Sequence, residues 1–241
     1  MSCNVVVAMD GTSGSGKSST ARGVAARLGM RYLDTGAQFR ALTVWLLDRG
    51  VDVHDRADVA ARIAEPRLES GTDPTHATIV LDGVDVSVRI RQQDVTDAVS
   101  PVATVPEVRA RLLEAQRALI SAALAAGTGI VVEGRDIGSV VWPDAELKLH
   151  LTADPSARAA RRTAENGSGD SASTEESLRR RDRIDSTRAA APLTVADGAV
   201  HLDTTHHTLE EVIGLVAARV VAAANEASGA RGGTPPGPDG P

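Results

Sequence analysis

Apolar runs short enough for strands recur along the chain, and helical spacings fill most of the gaps between them. Residues 4–10 (Asn-Val-Val-Val-Ala-Met-Asp) form an apolar run ending in an acid. Residues 19–28 then place Ala21, Val24, Ala25 and Leu28 at helical spacing, with Gly29 as the stop. Residues 30–34 read as a second strand, Thr35-Gly36 as a turn, and 37–49 as a helix closed by Gly50. Pro106 suits the first turn of a long helix to Ala126, closed by Gly127. Leu112, Leu113, Gln116, Leu119, Ile120 and Ala123 mark its inner face. Strands follow at 130–132, 147–151 and 199–203. Asp154 and Pro155 start one more helix, and the capping box Thr208 and Glu211 starts the last, which carries Val212, Ile213, Val216 and Val220. Strands alternating with helices predict a parallel α/β sheet.

Residues 51–104 break this rhythm. Asp55 caps a short helix to Glu65, and residues 78–86 read as a β-hairpin around Asp82-Gly83. An antiparallel element inside a parallel chain predicts an inserted subdomain. Residues 166–173 are flexible by composition, and Ser173 with Glu176 forms a capping box for the helix that follows. The tail from Ser228 to the end, residues 228–241, has nothing to bury and is expected to be disordered.

Composition narrows the class. With 241 residues and 42% hydrophobic content the chain suits one domain, and with 2% aromatics Leu, Val, Ile and Ala fill its core. A net charge of −6 argues against a general nucleic-acid binder. Cys3 is alone, which rules out an intramolecular disulfide and a Cys-based metal site and fits a reducing cytoplasm. No apolar stretch approaches the ~20 residues of a membrane span, and the start lacks a basic n-region, so neither a membrane nor secretion is expected. The six histidines show no ligand spacing, and Trp45 and Trp142 read as packing residues.

Three stretches carry chemistry. Gly11-Thr12-Ser13-Gly14-Ser15-Gly16-Lys17-Ser18, followed by Ser19, is a complete G-x-x-x-x-G-K-[ST] loop between a strand and a helix. Its backbone N–H groups and the helix N-terminus converge on phosphate oxygens, Lys17 reaches the β/γ-phosphates, and Ser18 offers a hydroxyl to Mg²⁺, directly or through water. Such a loop alone does not separate kinases from GTPases or motor ATPases, but the guanine-reading Asn-Lys-x-Asp motif is absent. The second stretch is the arginine concentration between Arg158 and Arg188, interspersed with Glu175, Glu176, Asp182 and Asp185. It reads as an Arg-bearing lid over a transferring phosphoryl group or as a solvated, ion-paired helix. The third is Glu133-Gly134-Arg135-Asp136 at a strand end, where an acid can orient Mg²⁺ and an Arg–Asp pair can hold a second substrate or brace the loop.

Taken together these stretches resemble the bacterial cytidylate (CMP) kinases, over nearly the whole chain to about residue 225. The resemblance rests on residues 10–18, on Tyr32-Leu33-Asp34-Thr35-Gly36-Ala37-Gln38-Phe39-Arg40-Ala41, on Glu133-Gly134-Arg135-Asp136-Ile137-Gly138 with 140–145 after it, and on Arg181-Asp182-Arg183-Ile184-Asp185-Ser186-Thr187-Arg188 with 189–192 after it. It implies a P-loop fold of three layers with a five-stranded parallel sheet. The kinase domain would be 1–227, with its core at 1–50 and 105–227, an NMP-binding insert at about 51–104 and a lid at about 158–188. It also implies transfer of the γ-phosphoryl of ATP to CMP or dCMP, with Mg²⁺, by a cytoplasmic monomer of pyrimidine nucleotide metabolism. Carried over by motif, Arg40 and Arg135 resemble acceptor-phosphate ligands, and Ser100, Arg109 and Asp136 the cytosine-reading set. Thr35 joins the CMP site, Arg181 and Asp185 resemble sugar contacts, Arg188 a further nucleotide ligand, and Arg158 and Arg162 lid arginines acting beside Lys17. Phe39 stands where the family usually has Tyr, and Ile184 where Arg is common. The rival readings are another small P-loop kinase, for UMP or a metabolite, and a P-loop switch that binds without turnover.

Overall fold

The structure is a computed structural model, and it describes residues 3–166, 171–187 and 194–232. Five strands form one parallel sheet in the order β2-β6-β1-β7-β8: β1 (Val6–Gly11), β2 (Arg31–Asp34), β6 (Ile130–Glu133), β7 (Leu147–Thr152) and β8 (Val200–Asp203). This is the parallel sheet that the alternating pattern predicts. Because side chains alternate along a strand, β1 feeds two cores. Val5, Val7 and Met9 pack with α1 (Lys17–Leu28) and α8 (Leu209–Gly232), while Val6 and Ala8 pack with Ile120, Ala123, Ile137 and Val141 on the other face. Gly23 lets α8 close on α1, since a Cβ there would lie 2.3 Å from Ile213 Cδ1. Helix α8 is long and apolar enough to cross a membrane, which corrects the expectation that no stretch is. Its Val212, Ile213, Val216 and Val220 are buried in the first of these cores.

The insert holds a three-stranded antiparallel sheet, β3 (Leu68–Ser70), β4 (Ile79–Leu81) and β5 (Val84–Asp85). The hairpin is where the Asp-Gly signal puts it, with Asp82 at φ 50 and Gly83 at φ 83. The same insert holds α3 (Arg56–Arg62), capped by Asp55, and α4 (Gln93–Val102). Strand β3 and helix α4 have no counterpart in the sequence reading. The insert has no core of its own among the described residues: its Val59, Ile79, Leu81, Ile90 and Val95 share one with α2 (Thr35–Asp48) and α5 (Pro106–Ala125).

Several boundaries shift. Thr35-Gly36 is the first turn of α2, because the Asp34 carboxylate accepts the Ala37 N–H at 2.9 Å and caps the helix there. Helix α6 spans Pro155–Asn166, and α7 spans Ser171–Thr187, starting two residues before the capping box at Ser173. Helix α8 continues to Gly232, past the residue 228 at which disorder is expected; residues 233–241 lie outside the described part.

Candidate active site

Strand β1 runs into the phosphate loop, and the loop's backbone geometry prepares an anion site. Gly14 (φ 76) and Gly16 (φ 85) take a left-handed conformation that L side chains rarely adopt. Gly16 is the N-cap of α1 and supplies no side-chain cap, so the N–H groups of the first turn remain for a ligand at the positive end of the helix. Lys17 Nζ donates to Thr12 O at 2.6 Å, and Ser15 Oγ donates to the same carbonyl at 2.9 Å. Burial and the Arg135 guanidinium push the Lys17 ammonium down to about 8, against the pull of Glu133, Asp182 and Asp10.

Two buried carboxylates stand behind the loop. Glu133, at the carboxyl end of β6, accepts from Ser18 Oγ at 2.8 Å and from the Tyr32 hydroxyl. Burial, with Asp34 adding to it, pushes Glu133 up to about 7 despite Lys17 and these two donors. Asp10 accepts the N–H groups of Ile137 and Gly138, each at 2.8 Å, and so ties the end of β1 to the turn after β6. Burial raises Asp10 to about 6 in spite of those bonds. Ser18 and Glu133 offer hard oxygen donors. Among the described residues no group of three or more His, Cys, Asp or Glu could hold a metal. A Mg²⁺ ion that takes its remaining ligands from phosphates and water fits such a sparse set.

One cleft unites the loop with residues 35–136. Gly14, Lys17, Ser18 and Ser19 line it together with Thr35, Phe39, Arg40, Ser100, Arg109, Arg135, Asp136 and Arg162. Arg109 and Asp136 pair directly, and both are nearly buried. The Arg109 guanidinium also lies 5.6 Å over the Phe39 ring, which supplies an aromatic face there. Ser100 is buried beside them. Arg40 donates to Ile90 O at 2.8 Å and Thr96 Oγ1 at 3.0 Å; burial and the nearby Arg162, Arg91 and Arg135 push it down to about 10. Thr35 Oγ1 donates to Glu133 O at 2.8 Å.

The arginines expected to form a lid do not all stand uncompensated. Arg158, on α6, donates from Nη1 to Ser13 O at 3.0 Å and to Asp182 Oδ2 at 2.5 Å. Asp182, on α7, also accepts from Ser13 N and from Arg135 Nη1, each at 3.1 Å. Burial alone would raise Asp182; Arg135, the Ser13 N–H and Arg158 outweigh it and hold the carboxyl below its usual range. Arg179 pairs with Glu175, and Arg180 with Asp97 of the insert. Arg161 is spent on Thr204, donating to its hydroxyl at 2.9 Å and its carbonyl at 2.6 Å. Arg181 and Asp185 lie on α7 with their side chains outside the described part, and Arg188 lies wholly outside it.

Sequence reasoning missed Arg91 as a lining residue, and missed Asp182 as the acid joining α7 to the loop. Arg91 ends a short 3-10 turn, Arg89–Arg91, that carries no periodic signal. For Asp182 the signal was available, since it is an acid flanked by arginines on both sides, Arg181 and Arg183.

A family model described as cytidylate kinase matches residues 7–222. A protein named cytidylate kinase from Streptomyces avermitilis is 54% identical over 209 residues, covering 87% of this chain and 89% of that one. Another so named, from Rhodococcus opacus, is 48% identical over 230 residues, covering 94% and 97%. Among solved structures, an uncharacterized protein from Eubacterium ventriosum aligns with a TM-score of 0.50 at 10% identity, covering 91% of this chain and 99% of that one. At that identity the likeness concerns the fold alone.

Proposed function

The chain belongs to the cytidylate kinase family, and from that premise we propose that its cleft transfers the γ-phosphoryl group of ATP to CMP or dCMP, giving the diphosphate and ADP. The observation that carries this reading is the single cleft in which the phosphate loop faces Arg40, Arg109, Arg135 and Asp136. The insert would hold the acceptor nucleotide and α6–α7 would act as the lid.

The acceptor phosphate is already anionic, so its oxygen attacks the γ-phosphorus without a general base. The bond to the bridging β–γ oxygen breaks and ADP leaves. The enzyme's contribution is then position and charge. The loop N–H groups and Lys17 hold the donor phosphates, and Arg40 and Arg135 hold the acceptor phosphate. Arg158 and Arg162 offset the charge that spreads over the transferring group. Ser18, backed by Glu133, would hold Mg²⁺, which would supply neutralisation of the phosphates' negative charge.

Cytosine presents an exocyclic amine and an unprotonated ring nitrogen. Asp136 and Ser100 can accept from the amine, and Arg109 can donate to the ring edge. Uracil would reverse both polarities in a nearly dry pocket, a mismatch that discriminates far better than apolar fit. The test is ADP release with a panel of nucleoside monophosphates. CMP and dCMP should exceed UMP and AMP by at least about tenfold in kcat/KM. Equal use of UMP would remove the base assignment, and no turnover with any acceptor would remove the kinase reading.

A further inference from the structure

Asp182 has no part in the roles assigned above, yet its carboxylate meets more of the phosphate machinery than any other lid group described. Oδ1 accepts from the Ser13 backbone N–H and from Arg135 Nη1, and Oδ2 accepts from Arg158 Nη1. Both arginines are tied to the loop as well. Arg135 donates to Gly11 O at 3.1 Å and to Ser13 Oγ at 2.5 Å, and Arg158 donates to Ser13 O at 3.0 Å. The lid comes this close because residue 14 has no side chain: a Cβ there would stand 3.1 Å from both Arg158 Cβ and Arg158 O.

Three features make this a functional arrangement. The cleft already gathers Lys17, Arg40, Arg91 and Arg162, so bringing Arg158 onto Arg135 without an acid between them would set like charges against each other. Asp182, on α7, supplies that acid. Next, a guanidinium is a planar fork whose aim is set once one edge is fixed. Asp182 and Ser13 fix Arg158 through Nη1, while its buried Nε has no hydrogen-bond partner among the described residues. Finally, the contact on Ser13 N places the lid helix directly on the loop that holds the donor phosphates.

We propose that Asp182 is a positioning residue for phosphoryl transfer, docking the lid on the phosphate loop and setting the aim of Arg135 and Arg158. The inference rests on the kinase reading and deepens it. An Asn at 182 would lose the charge and turn an amide donor toward a guanidinium donor; a Glu would keep the charge on a longer arm.

The test compares wild type, Asp182→Asn and Asp182→Glu in steady-state kinetics with ATP and CMP, with melting temperatures measured alongside. Asp182→Asn should lower kcat by roughly 10- to 100-fold, the scale of a misplaced catalytic group, with KM for CMP within about threefold of wild type on the same reasoning. Asp182→Glu should recover part of that kcat. If Asp182→Asn keeps kcat within twofold of wild type, or if both variants lose activity equally and only in step with a lower melting temperature, the proposal is overturned. An active wild type keeps those outcomes separate from failure of the kinase reading, which would appear as a wild-type chain unable to phosphorylate CMP and would overturn this proposal with it.

Discussion

The phosphate loop and the proposed acceptor pocket face each other across one cleft, but they are built by opposite means. The loop works through its backbone: N–H groups at the start of α1, positive φ at Gly14 and Gly16, and an uncapped helix end. The acceptor pocket works through side chains from distant parts of the chain. Arg40 leans on Ile90 and Thr96, Arg109 pairs with Asp136, and Arg135 meets Ser13. A backbone site needs the right residues in sequence and little else. A side-chain site needs every element around it in place, because a buried cation without its partner is costly. Substitutions should therefore act locally in the loop and propagate in the pocket.

The sharpest challenge to that contrast is Lys17→Ala. Its ammonium is already pushed down by burial, so the fold loses little when it goes, while the donor phosphates lose their main side-chain cation. Removing such a preorganised charge should lower kcat by about 10²–10³-fold and leave the melting temperature unchanged. Turnover near wild type would show that the backbone cradle alone suffices.

Asp136→Asn probes the opposite side. It leaves Arg109, itself nearly buried, without a carboxylate and offers an amide donor to a uracil carbonyl. The CMP-to-UMP ratio of kcat/KM should narrow by about tenfold or more, and melting temperature should fall as well, since one partner of a buried pair is lost. An unchanged ratio would mean the base is read elsewhere.

The smallest effect belongs to Asp10, the brace between the two regions. Its carboxyl is raised from 3.8 to about 6 in the folded chain. Between those values the native state keeps a proton that the unfolded chain has released, so this group's stabilisation is complete below about pH 4 and declines as pH rises to about 6. Asp10→Asn should flatten that decline, seen as a smaller fall in melting temperature from pH 4 to pH 7. An identical slope in the variant would assign the decline to another group, Glu133 being the nearest raised acid.

The sequence by itself determined the parts whose physics is local. Residues 11–18 specify a phosphate cradle because glycine conformations and a helix start produce it wherever a strand precedes them. Thr208 and Glu211 specify a helix start because their reciprocal bonds, Thr208 N to Glu211 Oε2 at 2.8 Å and Glu211 N to Thr208 Oγ1 at 3.3 Å, span three residues. The Asp82-Gly83 hairpin and the five strands of the parallel sheet were legible for the same reason. Residues 35–36 misled, since an Asp N-cap and a turn look alike until the helix is seen to accept the cap. Strand β3 was hidden because Leu68-Glu69-Ser70 has no pattern of its own and becomes a strand by pairing with β4. Only the tertiary structure decided which arginines meet acids, and where. Arg158, Arg161 and Arg179 come from one basic segment, yet one is bound to Asp182 and the loop, one to Thr204 and one to its helical neighbour Glu175. Guanidiniums are interchangeable in a sequence pattern, and their roles separate only when burial and a particular partner, near in the chain or far, fix each one's surroundings.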